Sequence, residues 1–342
     1  MAAAGQGSCN GSFSTFQEGM WPALALEFLL AFAGNSFAVY RFVACERRWH
    51  TGIVFSFNLA VSDLLYALSL PFLAIYYYPP KHWRYGLALC KLERFLFTCN
   101  LYGSIFFLTC ISLNRYLGIV HPFLVHGRLE SRHAKLLSGA VWLLVGAISA
   151  PTLHFSTLRT RENSTECLGS ATDAQLPTYL PYSLCLAALA CALPFLLTLF
   201  SYAAIFRTVC RNPNITPLEK RKVGGLVSVG VALYAVSYLP YHILRNLNLG
   251  LRLAARVQDC QRALLVHSAY QLSKILVTLN ICTHPLLYAA LADSMRGCCS
   301  TPRGQGQDKA PERVALKAAT DPPQLTALGG NQPPTGAADA MP

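Results

Sequence analysis

Apolar residues gather in seven long stretches between Trp21 and Leu291, separated by short polar segments. They fall at 21–43, 53–77, 95–120, 136–155, 180–206, 223–246 and 264–291. A helix crossing a hydrocarbon core of about 30 Å needs roughly 20 mostly apolar residues, and each stretch is about that long. The pattern predicts an all-α fold, a seven-transmembrane helical bundle.

Composition agrees. The chain is 53% hydrophobic and 13% charged, against roughly 25% charged residues in a soluble domain. Residues 1–20 are polar and lack the apolar core of a cleavable signal, so they read as an extracellular tail, with the first span acting as the insertion signal. Residues 21–299 form the spanning domain. Beyond Ser300 the chain turns to Pro, Gly, Gln and Ala. Such a segment buries too little surface to offset its chain entropy, which predicts a disordered cytoplasmic tail over 300–342.

An odd number of spans puts the two ends of the chain on opposite sides. Asn10 and Asn163 each begin a glycosylation acceptor (Asn10-Gly11-Ser12, Asn163-Ser164-Thr165), and both fall on the amino-terminal side, which places that side outside. Asn214-Ile215-Thr216 falls on the other side and is set aside. Arg41, Arg47, Arg48, Arg128, Arg132, Lys135, Arg207, Arg211 and Lys220 then lie inside, as the positive-inside rule expects. The outer segments are basic too, with Lys81, Arg84, Arg159, Arg161, Arg252, Arg256 and Arg262, in a chain of net charge +12. Topology does not require that second basic face. It suggests an anionic partner arriving from outside, because a positive field raises the encounter rate of anions. Nothing points to nucleic acid as a partner.

Cys90, at the start of the third span, and Cys167, in the second outer segment, face the oxidising side, where a bridge persists. Cys9 and Cys260 offer a second pair. Cys99, Cys110, Cys185, Cys191 and Cys282 lie at membrane depth and read as small buried hydrophobes. Cys298 and Cys299 follow the seventh span, where reversible palmitoylation occurs. No Gly-rich phosphate loop, zinc spacing or nucleophile elbow occurs, so no cofactor, metal or catalytic centre is expected.

Polar side chains at bilayer depth are costly and face the bundle interior. Here they are Asn35, Asp63, Asn100, Ser104, Asn280 and His284. Prolines 71, 151, 194, 240 and 285 free backbone carbonyls and supply hinges.

Several of these residues carry a resemblance. Gly34-Asn35, Leu59-Ala60-Val61-Ser62-Asp63, Cys90, Asn114-Arg115-Tyr116, Trp142, Pro194, Tyr202, Pro240 and Pro285-Leu286-Leu287-Tyr288 resemble the landmarks of rhodopsin-like G-protein-coupled receptors, in order and over residues 21–291. Three positions depart from the family pattern. Asn114 stands in place of an acid beside Arg115, Tyr238 in place of a Trp, and His284 in place of Asp or Asn before Pro285. The resemblance implies a plasma-membrane receptor with a heterotrimeric G protein and arrestin as partners. It also implies activation through Asn114, Arg115, Tyr116, Tyr202, Tyr238, Pro240, Pro285 and Tyr288, and a sodium pocket at Asp63, Ser104 and Asn280. Within that family, Lys81-His82-Trp83-Arg84-Tyr85-Gly86, Ser237-Tyr238-Leu239-Pro240-Tyr241-His242 and Tyr270-Gln271-Leu272-Ser273-Lys274 are similar to metabotropic purinergic nucleotide receptors. The ATP-preferring members that couple to Gq and Gs are the most similar, which implies ATP as ligand and calcium signalling as output.

The residues support an anion site without that resemblance. Arg94, Thr98 and Tyr102 recur at i, i+4 and i+8 and share one face of the third span. His242 and Arg245 stand at i, i+3 on the sixth, with Asn248 one turn on. Tyr270 and Lys274 stand at i, i+4 on the seventh, with Gln271 beside them. Three permanent cations from three helices would repel one another without an anionic ligand. A triphosphate matches them, Arg offering two-pronged contacts and Lys a point charge, while the tyrosines suit a base or ribose. A receptor for another small anion, such as a dicarboxylate or lipid acid, is the main alternative. An organic-anion transporter would show repeated half-spans, which are absent from the sequence.

Overall fold

The computed structural model describes residues 19–46, 49–122, 130–161, 164–169, 171–254 and 260–291. All of them fall in one compact unit, and a second unit, Gly306–Pro342, lies outside the described residues. So do Cys9, Asn10, Asn163, Cys298, Cys299 and the 300–342 tail, together with the Cys260 side chain.

Seven helical spans follow the apolar pattern. The first is Trp21–Ala44, with Pro22 in the opening turn, where its missing N–H costs nothing. The second is Thr51–Ala67 continued by Leu70–Tyr77, and the third is Gly86–Val120. The fourth is Ser131–Ser149 continued by Pro151–Phe155, and the fifth runs from Leu176 to Arg211. The sixth is Pro217–Leu253 and the seventh Cys260–Leu291. Most extend a turn or more past the predicted limits, because their polar end turns lie beyond the apolar stretch.

Six described helices are long and apolar enough to cross a membrane. The seventh span turns Gln271, Ser273, Thr278, Asn280 and His284 inward, where they are buried. The outside of the bundle is apolar: Leu143 is 78% exposed and Leu286 70%. At its centre Asn35 and Asp63 are 0% exposed. Polar groups inside and leucine outside suit a hydrocarbon surround.

The third span is central, packing against the second, fourth and fifth, and the seventh closes the ring by packing on the sixth and first. Pro71, Pro151 and Pro194 each stand at the start of a new helical segment. Ahead of Pro194, residues Leu186–Ala192 widen into π-helix. A proline cannot donate to the preceding turn and crowds it. Pro240 and Pro285 instead sit inside continuous helices.

The carbonyl that Pro285 deprives of a donor is that of Ile281, four residues back. Asn35 of the first span supplies the missing donor, its Nδ2 lying 2.9 Å from the Ile281 oxygen. The preceding residue allows the approach, since a Cβ on Gly34 would stand 2.9 Å from Pro285 Cγ. Trp142 of the fourth span ties to the second in the same way, donating to Asn58 Oδ1 at 2.9 Å.

Two features differ from the sequence reading. An antiparallel hairpin, β1 (Thr157–Arg161) and β2 (Ser164–Leu168), joins the fourth and fifth spans. Cys185, expected to be buried, is exposed on the outside of the fifth span, whereas Cys191 is buried.

Candidate functional site

The hairpin covers one end of the bundle. Cys167 in β2 is bonded to Cys90 in the first turns of the third span, with 5.7 Å between Cα atoms. One turn further along that span, Arg94 donates from Nη2 to the Cys167 carbonyl at 3.1 Å. Lys81 anchors the other edge of β2 through Glu166, Nζ to Oε1 at 2.9 Å. Beyond the hairpin, Asp173 accepts from Arg252 at 2.7 Å.

Under this cover the predicted ligand residues come together. Arg245 donates to the hydroxyls of Tyr241, at 3.3 Å, and Tyr179. Its guanidinium lies 5.5 Å from the Tyr179 ring centre and 5.8 Å from that of Tyr241, which frames the cation in π density. Tyr270 packs on Tyr241 with ring centres 5.9 Å apart, and the Lys274 ammonium stands 4.6 Å over the Tyr270 ring. Arg94 and Arg245 both act on Tyr270 electrostatically. Tyr102 faces His242 across the third and sixth spans, ring centres 5.8 Å apart.

The polar atoms here are unevenly used. The Tyr102 hydroxyl, both His242 ring nitrogens and Gln271 Oε1 are buried with no hydrogen-bond partner among the described residues. Buried polar groups are nearly always paired, so these open atoms are available to a polar ligand or water. Gln271 Nε2 is already engaged with His267 Nε2 at 3.2 Å. Thr98 differs from expectation: its hydroxyl donates to the Arg94 carbonyl at 2.8 Å and receives Thr152 at 3.5 Å, so its donor is spent on its own helix. Asn248 is buried one turn beyond Arg245 on the same face.

Two acids at this end escaped the sequence reading, Glu27 in the first span and Glu93 in the third, 2% and 1% exposed. Glu27 Oε2 accepts from Thr278 at 2.6 Å. Glu93 Oε2 lies 3.1 Å from Arg94 Nε. The expectation that the three cations lack internal counter-charge is therefore corrected. For Glu27 the signal was its place inside the stretch 21–43, since an acid there seldom stands without a partner, whereas Glu93 falls just ahead of the stretch at 95–120.

Toward the middle, Asp63 is fully engaged. Asn100 donates to Oδ1 at 2.9 Å and Ser104 approaches it at 3.5 Å, while His284 Nδ1 lies 2.7 Å from Oδ2. Asn280 turns to Ser237 instead, accepting at 3.2 Å. A sodium ion does not fit this arrangement, because an imidazole holds the carboxylate oxygen such an ion would need.

At the far end, Arg115, Tyr202 and Tyr288 line one cleft between the third, fifth, sixth and seventh spans. A Cβ on Gly230 would meet the Tyr202 ring at 3.2 Å, so the glycine lets that tyrosine lie flat on the sixth span. Tyr288 packs edge-on to Phe42 at 5.7 Å, and Tyr238 edge-on to Tyr234 at 5.0 Å. Tyr116 pairs with His121 Nε2 at 3.0 Å, beside Phe200. Asn114 lies across from Gly52 of the second span.

Known proteins share this organisation. The 7 transmembrane receptor (rhodopsin family) pattern matches residues 34–288. The Y-type purinoceptor 11 of Homo sapiens is 50% identical over 303 residues, covering 82% of this chain and 81% of the relative. The Y-type purinoceptor 1 of Gallus gallus is 40% identical over 274 residues, covering 79% and 75%. Its Homo sapiens counterpart, Y-type purinoceptor 1, is 38% identical over 274 residues, covering 79% and 73%. A bundle with apolar flanks, a polar axis and a hairpin bonded to its third helix, matched over most of its length by these receptors, is no enzyme: the chain belongs to the Y-type purinoceptors of the rhodopsin family of seven-transmembrane receptors.

Proposed function

We propose that this protein is a receptor for extracellular nucleotides, ATP foremost, which binds its ligand beneath the hairpin and activates a G protein at the opposite end of the bundle. One observation carries the reading. Arg94, Arg245 and Lys274 reach the Tyr270 region from three helices, beside the open polar atoms of Tyr102 and His242. A polyphosphate supplies charge to the cations, and a ribose or base supplies hydrogen bonds to the open atoms. The relatives' name, purinoceptor, agrees with a purine nucleotide.

The Cys90–Cys167 bridge suits an oxidising compartment, which supports a hairpin end facing outside the cell and an Arg115 end facing inside. Binding draws the third, sixth and seventh helices together around the phosphates, and the continuous sixth helix, with Pro240 inside it, carries that change to the cleft at Arg115 and Tyr202. That cleft is the docking place for the G protein, of the Gq class and also Gs, and for arrestin. The test is a panel of nucleotides, nucleotide sugars, dicarboxylates and lipid acids on cells expressing the receptor, read as calcium and cyclic AMP. Nucleoside triphosphates should act at the lowest concentrations. A response confined to dicarboxylates or lipid acids, or ion uptake without signalling, would replace this reading.

A further inference from the structure

Glu93 stands beside the candidate phosphate cations with no hydrogen-bond partner. Both carboxylate oxygens are buried and unbonded among the described residues, and the side chain is 1% exposed. Arg94 Nε lies 3.1 Å away yet is not aligned to donate, so the pair is held by charge rather than by a directed hydrogen bond. Arg94 spends its Nη2 on the Cys167 carbonyl instead.

We infer that Glu93 is a built-in competitor for the ligand, a counter-anion that an incoming phosphate must displace from Arg94. The inference rests on the nucleotide reading above. Displacement leaves a buried carboxylate with weaker compensation, which lowers affinity for every anion. Glu93 opposes each negative charge that a ligand brings, so its penalty is largest for the most highly charged ligands and absent for an uncharged one. The unbonded Nε–H of Arg94 and the unbonded oxygens of Glu93 make the exchange inexpensive in hydrogen bonds, since none is broken when the phosphate arrives.

The experiment compares wild type with Glu93→Gln, which keeps the shape and removes the charge, at matched surface density measured through an amino-terminal epitope. Concentration–response curves are taken with ATP, ADP and uncharged adenosine. The variant should respond to ATP at concentrations roughly three- to tenfold lower, the scale of one partly screened charge contact. The gain should shrink for ADP and vanish for adenosine. A merely structural role would move all three ligands alike. An unchanged or weakened ATP response in Glu93→Gln, with wild type responding normally, overturns the role of Glu93 alone. Silence of both forms toward every nucleotide rejects the anion-site reading and the competitor with it. If Glu93→Gln does not reach the surface, Glu93→Asp carries the test, since a shorter acid should compete less and give a smaller gain of the same charge order.

Discussion

Arg94 Nη2 donates at 3.1 Å to the backbone carbonyl of Cys167, the residue whose sulfur is bonded to Cys90 one turn earlier on the same helix. The hairpin is thus fastened to the third span twice, once covalently and once through a cation of the candidate site. Loss of the bridge frees the hairpin and takes a partner from Arg94. Replacing Cys90 or Cys167 by Ser should therefore abolish nucleotide responses and sharply reduce surface delivery. Removing such a bridge costs about 2–5 kcal/mol in small secreted domains. Cell-surface labelling beside non-reducing peptide mapping checks this, and a free Cys90 thiol in active wild-type receptor would refute it.

Gly169 offers a gentler way to disturb the same contact. A Cβ there would stand 2.7 Å from Arg94 Cδ and Nε. Gly169→Ala should push the guanidinium aside and raise the ATP concentration needed for half-response by about threefold to tenfold, one weakened hydrogen bond to a charged group. Gly139, with open space around its missing Cβ, provides a control in Gly139→Ala. Equal potency in the two variants would mean that Arg94 does not depend on its present position.

Arg245 bonds two tyrosine hydroxyls through separate nitrogens, which a lysine cannot reproduce. Arg245→Lys should keep part of the response and Arg245→Ala lose about ten- to a hundredfold in potency, the scale of a hydrogen bond to a charged group at roughly 1.5–3 kcal/mol. Radioligand competition on membranes separates the two. If Arg245→Lys binds as tightly as wild type, the fork geometry has no role.

His284 holds Asp63 Oδ2 at 2.7 Å, with both side chains buried. Wild-type agonist potency should thus be the same in sodium and in N-methylglucamine buffer. His284→Asn should open the carboxylate and make sodium lower agonist affinity severalfold. A sodium effect in wild type as large as in the variant would show that the imidazole does not exclude the ion.

Much of this was legible in the sequence because a bilayer writes a coarse pattern. Asn35, Asp63 and His284 are conspicuous in apolar surroundings, and the structure places all three on the axis. Cys90 and Cys167 were readable from topology, and they are bonded. The helical repeat predicted the shared faces of Arg245 with His242 and of Lys274 with Tyr270. The hairpin was missed, although Thr157, Arg159 and Arg161 alternate with Leu158 and Thr160 in a period-two run. Five-residue strands in an outer segment leave a faint trace beside spans of more than twenty residues. Glu27 and Glu93 were not legible as counter-charges, because their partners, Thr278 of another span and the neighbouring Arg94, are set by packing and side-chain direction. Thr98 looked available by periodicity, but periodicity gives direction and not hydrogen-bond commitment, and a helical threonine readily bonds back to the preceding turn.

In the proposed site Arg94, Arg245 and Lys274 act together on one anion. Equilibrium binding of a labelled, slowly hydrolysed ATP analogue to wild-type membranes and to Arg94→Ala, Arg245→Ala and Lys274→Ala membranes, at equal receptor density, addresses that claim most directly. Each substitution should weaken binding about ten- to a hundredfold, with surface delivery intact. Unchanged affinity in all three variants would contradict it.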